Sequence, residues 1–497
     1  MSRLTALPRE WKPDPKRLGP ANFRRLDGGG WLLTNDWGQW LILEDAEFRR
    51  YVEGALREDE PLTKRLAEAG FLRDRLDFPA LAKGWLGRTA FQRHPGPTLH
   101  EFVVTLRCNL ACHYCHSSVV GPDRKDVDMT LETAKAAVDF VFSTPNPNLA
   151  IEFQGGEPLL NWPVVKFVTL YAKKKAALAK RKLTVSLVSN FSLLDEKRLD
   201  FLLENYVALC TSLDGPPEVH DRNRPLLGGG PSQAKVVRWL KRIAERSVGP
   251  DGRQYYKPGA LLTATRHSLP YAKEIVELYE GLGIESVFVR KLSPIGYGKT
   301  AWDRLGYEPH EFVAFYERIL DEVLRRAKAG SPFMERWAMV CLTKILKNRD
   351  PGYMDLRSPT GAVLGCLAYN HDGRLFSSDE GRMLDHTGDS MFEVGELGES
   401  TWGDVLDHPT TRTLVMASTL DNQPMCSSCA YKPWCGLETV YNYETQRNPF
   451  GNVPSSGWCK TYMGVFDVVM KKLREPETRK IFEGWLARDE SKWEGAA

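Results

Sequence analysis

The sequence predicts an α/β fold: a parallel sheet flanked by outer helices, with a small winged-helix-like unit before it and a loop-rich extension after it. Three observations predict it. Six strand-like runs alternate with six helix-like runs over roughly 230 residues, the pattern of successive β/α units. The loop after the first run carries three closely spaced cysteines. Six of the ten cysteines lie from Cys341 onward, in a stretch rich in Gly, Pro and Ser.

Residues 1–20 are polar and hold four prolines, which predicts an irregular arm. Residues 21–95 form a unit of their own. Strands are expected at 31–34 and 39–43, joined by a turn at Asn35-Asp36. Helices follow at 46–56 and 62–69, the second ended by Gly70. The alternating region spans 96–330, with strands at 101–107, 150–154, 183–189, 207–212, 260–265 and 287–291. The helices between and after them fall at 131–143, 163–181, 195–205, 233–247, 271–282 and 309–329. Such a sheet stays open or closes into a barrel, and ligands gather at the carboxyl ends of its strands. Residues 331–470 are read as a further domain, and from about residue 350 the chain is irregular and lacks an obvious apolar core, so bound metal is expected to hold it. Helical patterns return at 460–473 and 475–487, and residues 471–497 are read as a C-terminal helix.

The 497 residues are 42% hydrophobic and 26% charged, ordinary for a globular chain. A net charge of +3 does not supply the concentrated basic field of a nucleic-acid binder. No apolar run reaches the ~18 residues of a membrane span, and the N-terminus has no signal-like apolar stretch. The expected location is the cytoplasm, where structural disulfides are disfavoured. Ten cysteines there need another explanation.

Cys108-Asn-Leu-Ala-Cys112-His-Tyr-Cys115 places three thiols on one loop after the first strand. Thiolates are soft ligands that select iron–sulfur clusters or zinc. Three of them suit a cubane with one iron left open. Structural zinc wants a fourth ligand, for which His113 or His116 is available. The loop resembles the CxxxCxxC signature of radical S-adenosylmethionine (SAM) enzymes, with Tyr114 before the third cysteine. Phe153-Gln-Gly155-Gly156-Glu157-Pro158 resembles that superfamily's Gly-Gly-Glu motif. The resemblance covers about residues 100–295 and implies a partial (β/α)6 radical SAM barrel, a SAM-binding [4Fe-4S] cluster at Cys108, Cys112 and Cys115, and SAM itself. It further implies contacts to SAM from Tyr114, Gly155, Gly156, Glu157, Ser189, Asn190, Ser212, Asp214 and Arg224. Each short motif is weak alone, but all fall at carboxyl ends of successive predicted strands.

Cys426-x2-Cys429-x5-Cys435 with Cys459 forms a second four-thiol set. It resembles the SPASM extension of peptide-modifying radical SAM enzymes, which implies an auxiliary [4Fe-4S] cluster on Cys426, Cys429, Cys435 and Cys459. That extension typically holds two auxiliary clusters. Here Ser378 stands where the inner cluster's pattern has cysteine, and Glu438 and Thr439 occupy the stretch where another is usual. One auxiliary cluster is therefore expected, with a zinc knot as the competing reading. Cys210 and Cys341 read as core thiols; Cys366 reads as a remnant ligand or a buried residue.

Further segments, among them Leu367-Ala-Tyr-Asn-His-Asp-Gly373 and Tyr431-Lys-Pro-Trp-Cys435-Gly436, are similar to the His-Xaa-Ser system peptide maturase. The implied partners are a ribosomally made precursor peptide and a reductase, flavodoxin or ferredoxin as electron donor. The implied product is a crosslink or another oxidised side chain. Residues 21–95 would dock the leader by strand addition or simply cap the barrel. Asp379 and Glu380 are candidate general bases, weighed against ordinary surface carboxylates. Competing functions are modification of a folded protein, as in formylglycine formation, action on a small molecule, and a non-catalytic metal-knot protein.

Overall fold

The computed structural model describes residues 6–93, 96–117, 119–246, 248–249 and 252–494. Six parallel strands form its centre: Leu99–Thr105, Asn148–Gly155, Lys182–Val188, Val207–Ser212, Gly259–Ala264 and Val289–Lys291. They pair in chain order, each with the next. Glu101 lies beside Glu152, and Glu152 beside Ser186. Successive strand residues point to opposite faces, so Phe102, Ile151, Phe153, Val185 and Leu187 turn outward into the apolar core with the helices. Glu101, Glu152, Cys210 and Ser212 turn inward to a cavity. The predicted parallel α/β fold is present, as an open sheet rather than a closed ring.

The outer helices form where the 3.6-residue period demands. Leu131–Ser143 is the plainest case: the Thr130 side chain accepts from the Thr133 amide, and Ala134, Ala137, Val138 and Val141 are buried. The predicted helix at 233–247 runs over Gln233–Ala244; its Ser247 lies outside the described residues. The predicted sixth strand divides into Ser286–Val287, which pairs with Met334–Glu335, and Val289–Lys291.

The extension packs on the barrel's own sheet and core. Strand Cys366–Tyr369 runs parallel to Leu99–Thr105 and continues the central sheet on its other side. Arg374–Phe376 and Glu393–Glu396 extend it antiparallel. Tyr431, Trp434, Leu437 and Tyr462 are buried in the same apolar cluster as the barrel helices. Helices Gly457–Leu473 and Pro309–Lys328 pack together.

Near the N-terminus, Asn22–Arg25, Trp31–Thr34 and Trp40–Leu43 form a three-stranded antiparallel sheet, one strand more than expected. Helices Asp45–Val52 and Pro61–Glu68 follow. Gly70, at φ +72°, turns the chain out of the second helix as predicted, and a Cβ there would meet Leu81 at 2.8 Å. Trp31 and Phe48 stack at 4.4 Å in this unit's own core.

Candidate active site

The loop after the first strand brings Cys108, Cys112 and Cys115 to one cavity of about 580 Å³. All three thiols are free. The loop is fixed by its backbone: Cys108 N–H donates to Val120 O at 3.0 Å, Ala111 N–H to Pro225 O at 2.9 Å and His113 N–H to Asn223 O at 3.0 Å. The Asn190 amide lies 3.9 Å from Cys108 Sγ, and Arg224 Nη1 lies 3.9 Å from Cys112 Sγ. Burial pushes the Cys112 thiol up to about 12, against the pull of Arg224. Among the described residues no three His, Cys, Asp or Glu side chains are gathered to hold a single metal ion. His116, a proposed fourth zinc ligand, instead bonds through Nε2 to Ser293 O at 3.0 Å.

Two glycines shape the wall beside these thiols. Gly155 sits at φ +119°, and a Cβ on it would lie 2.3 Å from Thr105 O; on Gly156 a Cβ would lie 2.1 Å from Arg107 O. Only glycine lets this loop close on the first strand. Tyr114, Gly155, Gly156, Ser189, Asn190, Ser212 and Arg224 all line the cavity. Glu157 and Asp214 lie behind this lining. Glu157 is fully buried and accepts from Leu159 N–H at 3.0 Å, Ser189 Oγ at 2.7 Å and Asn190 N–H at 2.8 Å. It ties the second strand's loop to the end of the third. Asp214 is a hub, accepting from Tyr114 OH at 2.7 Å and from Asn223 and Arg224 at 3.1 Å. Both carboxylates position the residues that face the cavity.

The far side of the cavity is polar. Asp379 and Glu380 line it, so the surface reading of these carboxylates does not hold. Asp379 is 4% exposed and pairs with buried Arg382 at 2.6 Å. Glu101, Glu152, Arg290, Lys291, Asp355 and Glu438 join them. Burial, with Glu380 and Asp355 nearby, raises Glu438 to about 8. Burial raises Glu101 well above the usual range, with Asp379 adding to it. Burial lowers Lys291 to about 8; its Nζ lies 4.3 Å from the Trp458 ring centre and 4.5 Å from that of Tyr441. None of these six stands out in the sequence as a site residue. Arg290 and Lys291 end the sixth strand, so the carboxyl-end rule applied there would have found them. Cys210 was expected in the core; it opens on this cavity, 3.5 Å from where a Gly259 Cβ would stand. Cys341 is buried in the core as expected. Cys366 is buried and lines the cavity, as do Ser378 and Glu438, with its Sγ 3.8 Å from Ser377 O.

Cys426, Cys429, Cys435 and Cys459 are free and half-buried and pack against the main core. Burial raises the Cys435 thiol well above its ordinary range, and Cys426, Cys429 and Cys459 add to the rise. Four thiols that act on one another through their charges, backed by the apolar core, have the soft-ligand chemistry of a thiolate-ligated cluster. The buried Trp434 indole N–H beside Cys435 has no hydrogen-bond partner among the described residues.

A parallel α/β sheet with a three-thiol loop and a glycine cradle at its carboxyl end defines a class of cofactor-dependent enzymes. Residues 102–250 match the Radical SAM superfamily, so the chain carries a radical SAM domain, which implies a [4Fe-4S] cluster and SAM. Among curated proteins it is 29% identical over 192 residues to an uncharacterized protein of Methanocaldococcus jannaschii, covering 38% of this chain and 61% of that one. It is 24% identical over 218 residues to the cysteine-type anaerobic sulfatase-maturating enzyme of Clostridium perfringens, covering 43% and 56%. The chain thus spans less than two thirds of these relatives' own lengths. The solved structure "Native anSMEcpe with bound AdoMet" superposes with a TM-score of 0.65 at 17% identity, over 78% of this chain and 99% of that one. Streptococcus suis SuiB bound to precursor peptide SuiA superposes at 0.52 and 14% identity, over 88% and 98%. At such identities these likenesses show the fold. Among the described residues no helix is long and apolar enough to cross a membrane.

Proposed function

We propose that the chain is a radical SAM maturase of a ribosomally made precursor peptide, forming a crosslink or another oxidised side chain. One observation carries this reading: a single cavity joins the three thiols and the glycine cradle to the chamber of Asp379, Glu380, Glu438, Arg290 and Lys291. A substrate side chain held there lies next to the nucleoside site. When bound, the cluster and SAM would supply the electron and the cleavable bond from which radical chemistry on the substrate starts.

The chain's own residues set the stage for it. Cys108, Cys112 and Cys115 hold the cluster. Gly155 and Gly156 let SAM approach the backbone. Arg224, braced by Asp214, places a positive charge beside Cys112. Oxidative coupling of a side chain releases a proton, and Glu380 or Glu438 is placed to accept it when ionised; Asp379 is held by Arg382. We assign an auxiliary [4Fe-4S] cluster to Cys426, Cys429, Cys435 and Cys459, with the released electron as its cargo. Residues 21–95 are assigned to leader docking, and a small reductase, flavodoxin or ferredoxin would supply the first electron.

Support for a peptide partner comes from SuiB, solved with its precursor peptide, and from anSMEcpe, solved with Cp18Cys peptide. The sulfatase-maturase relatives favour a second reading, oxidation of one residue in a folded protein. Anaerobic reaction with candidate precursor peptides, read by mass spectrometry, tests the proposal. A loss of about two mass units with linked fragment ions is expected for a crosslink, since coupling removes two hydrogens and leaves the chain intact. Turnover confined to a single Cys or Ser of a sulfatase-type sequence would overturn it.

A further inference from the structure

The N-terminal sheet grips the loop that carries the second thiol set. Between Cys429 and Cys435, four backbone or side-chain groups are bound from this sheet and its turn or from the later helix Phe78–Arg88. Thr34 Oγ1 donates to Ala430 O at 2.8 Å. Asp36 pairs with Lys432 at 2.9 Å. Arg88, on helix Phe78–Arg88, donates to Pro433 O at 3.2 Å. Trp40 meets Trp434 edge-on at 6.5 Å.

The remaining residue of that run, Tyr431, leads to Arg24 on the first strand. Arg24 forms a two-pronged pair with Asp467, at 3.1 Å from Nε and 2.7 Å from Nη2. The Tyr431 hydroxyl donates to the same carboxylate. The guanidinium also lies 5.5 Å from the Tyr431 ring centre. Tyr431 N–H in turn donates to Cys429 Sγ at 3.4 Å. Asp467 stands on helix Gly457–Leu473, whose first turn holds Cys459. Arg24 therefore sits between the two segments that supply Cys429 and Cys459. Both side chains of the pair are less than one fifth exposed, so solvent screens them little.

An iron–sulfur core on four thiolates is anionic and gains a further negative charge on reduction, so a fixed nearby cation raises its potential and a fixed anion lowers it. We propose that Arg24 is the counter-charge of the auxiliary cluster, delivered by the N-terminal sheet, and that Asp467 holds it in place and offsets part of its effect. Arg24 is a positioning and tuning residue that touches no substrate. The inference rests on the reading of Cys426, Cys429, Cys435 and Cys459 as a cluster site.

The test uses the full chain with Cys108→Ala, Cys112→Ala and Cys115→Ala, so that only the second thiol set can hold iron. After anaerobic reconstitution, iron is counted and the midpoint potential is read by redox titration with electron paramagnetic resonance. Arg24→Met is expected to move the potential negative, Asp467→Asn positive, and Arg24→Lys to stay near the parent. Shifts of the same sign in Arg24→Met and Asp467→Asn, or no shift in either, would reduce the pair to scaffolding and sink the proposal. If Arg24→Met retains no iron, the Asp467→Asn and Arg24→Lys potentials decide alone. A parent that binds no iron–sulfur cluster defeats the cluster reading itself, a result distinct from an unmoved potential.

Discussion

Arg224 stands between Asp214 and Cys112, with Nε 3.1 Å from the Asp214 carboxylate and Nη1 3.9 Å from the sulfur. Asp214 is fully buried, so the pair has little access to water. Removing one partner of a buried pair strands the other charge, at a cost of about 3–5 kcal/mol. Arg224→Gln is therefore expected to lower stability by roughly that amount and to weaken cluster retention. Thermal unfolding and iron content after reconstitution check both. Arg224→Lys is expected to rescue only part, because an ammonium cannot span both partners as the planar guanidinium does.

The thiol loop makes a sharper prediction. Cys112→Ala is expected to abolish 5′-deoxyadenosine formation from SAM under reducing conditions, measured by chromatography. Cys429→Ala is expected to lower bound iron by about four atoms while the first cluster remains. Sustained SAM cleavage in the first variant, or unchanged iron in the second, would contradict the ligand assignments.

At Gly155 the backbone lies at φ +119°, and the Thr105 carbonyl would be 2.3 Å from an added Cβ. Gly155→Ala must therefore push the loop away from the first strand. The expected outcome is a lower melting temperature together with weaker SAM binding by calorimetry. Gly388→Ala, also at positive φ but with open space around it, is the control. It carries the backbone strain without the clash, so its SAM affinity is expected to match the parent's.

Glu438 titrates near 8 in the fold, against an ordinary value of 4.5. The folded state thus binds the extra proton over that window. By linkage its contribution is fully present below about 4.5 and is lost as pH rises through about 8. Stability is expected to fall across this range, and Glu438→Gln to flatten the fall. Parallel slopes for parent and variant in urea titrations would place the titrating group elsewhere.

Much of the barrel is legible in the sequence because its strands and helices alternate with clean periodicity, and each of the central strands falls within a residue or two of its expected span. The strand Asn22–Arg25 escapes such a reading because it is polar and largely solvent-facing at one end, so it carries no hydrophobic alternation. Cys366–Tyr369 escapes it for a different reason. Its partner Leu99–Phe102 lies more than 260 positions earlier in the chain, and local patterning carries no record of such a pairing. The thiol loops are readable from spacing alone. The polar chamber is not, because Glu101 and Glu152 become a pair only through the register between two strands. Glu157 and Asp214 stand out in the sequence, and in the fold their carboxylates are bonded to the residues that form the cavity wall. A motif marks an important carboxylate but not the direction in which its oxygens point.

The pairing of Cys366–Tyr369 with the first barrel strand also limits how the molecule can be divided. A fragment ending after Ala329 would bare the hydrogen-bonding edge of Leu99–Thr105, whose inner residues are buried in the intact chain. An uncovered edge of that kind recruits other chains. Such a fragment is expected to aggregate even though it retains all three thiols of the first loop, because the extension covers the sheet edge beside that loop.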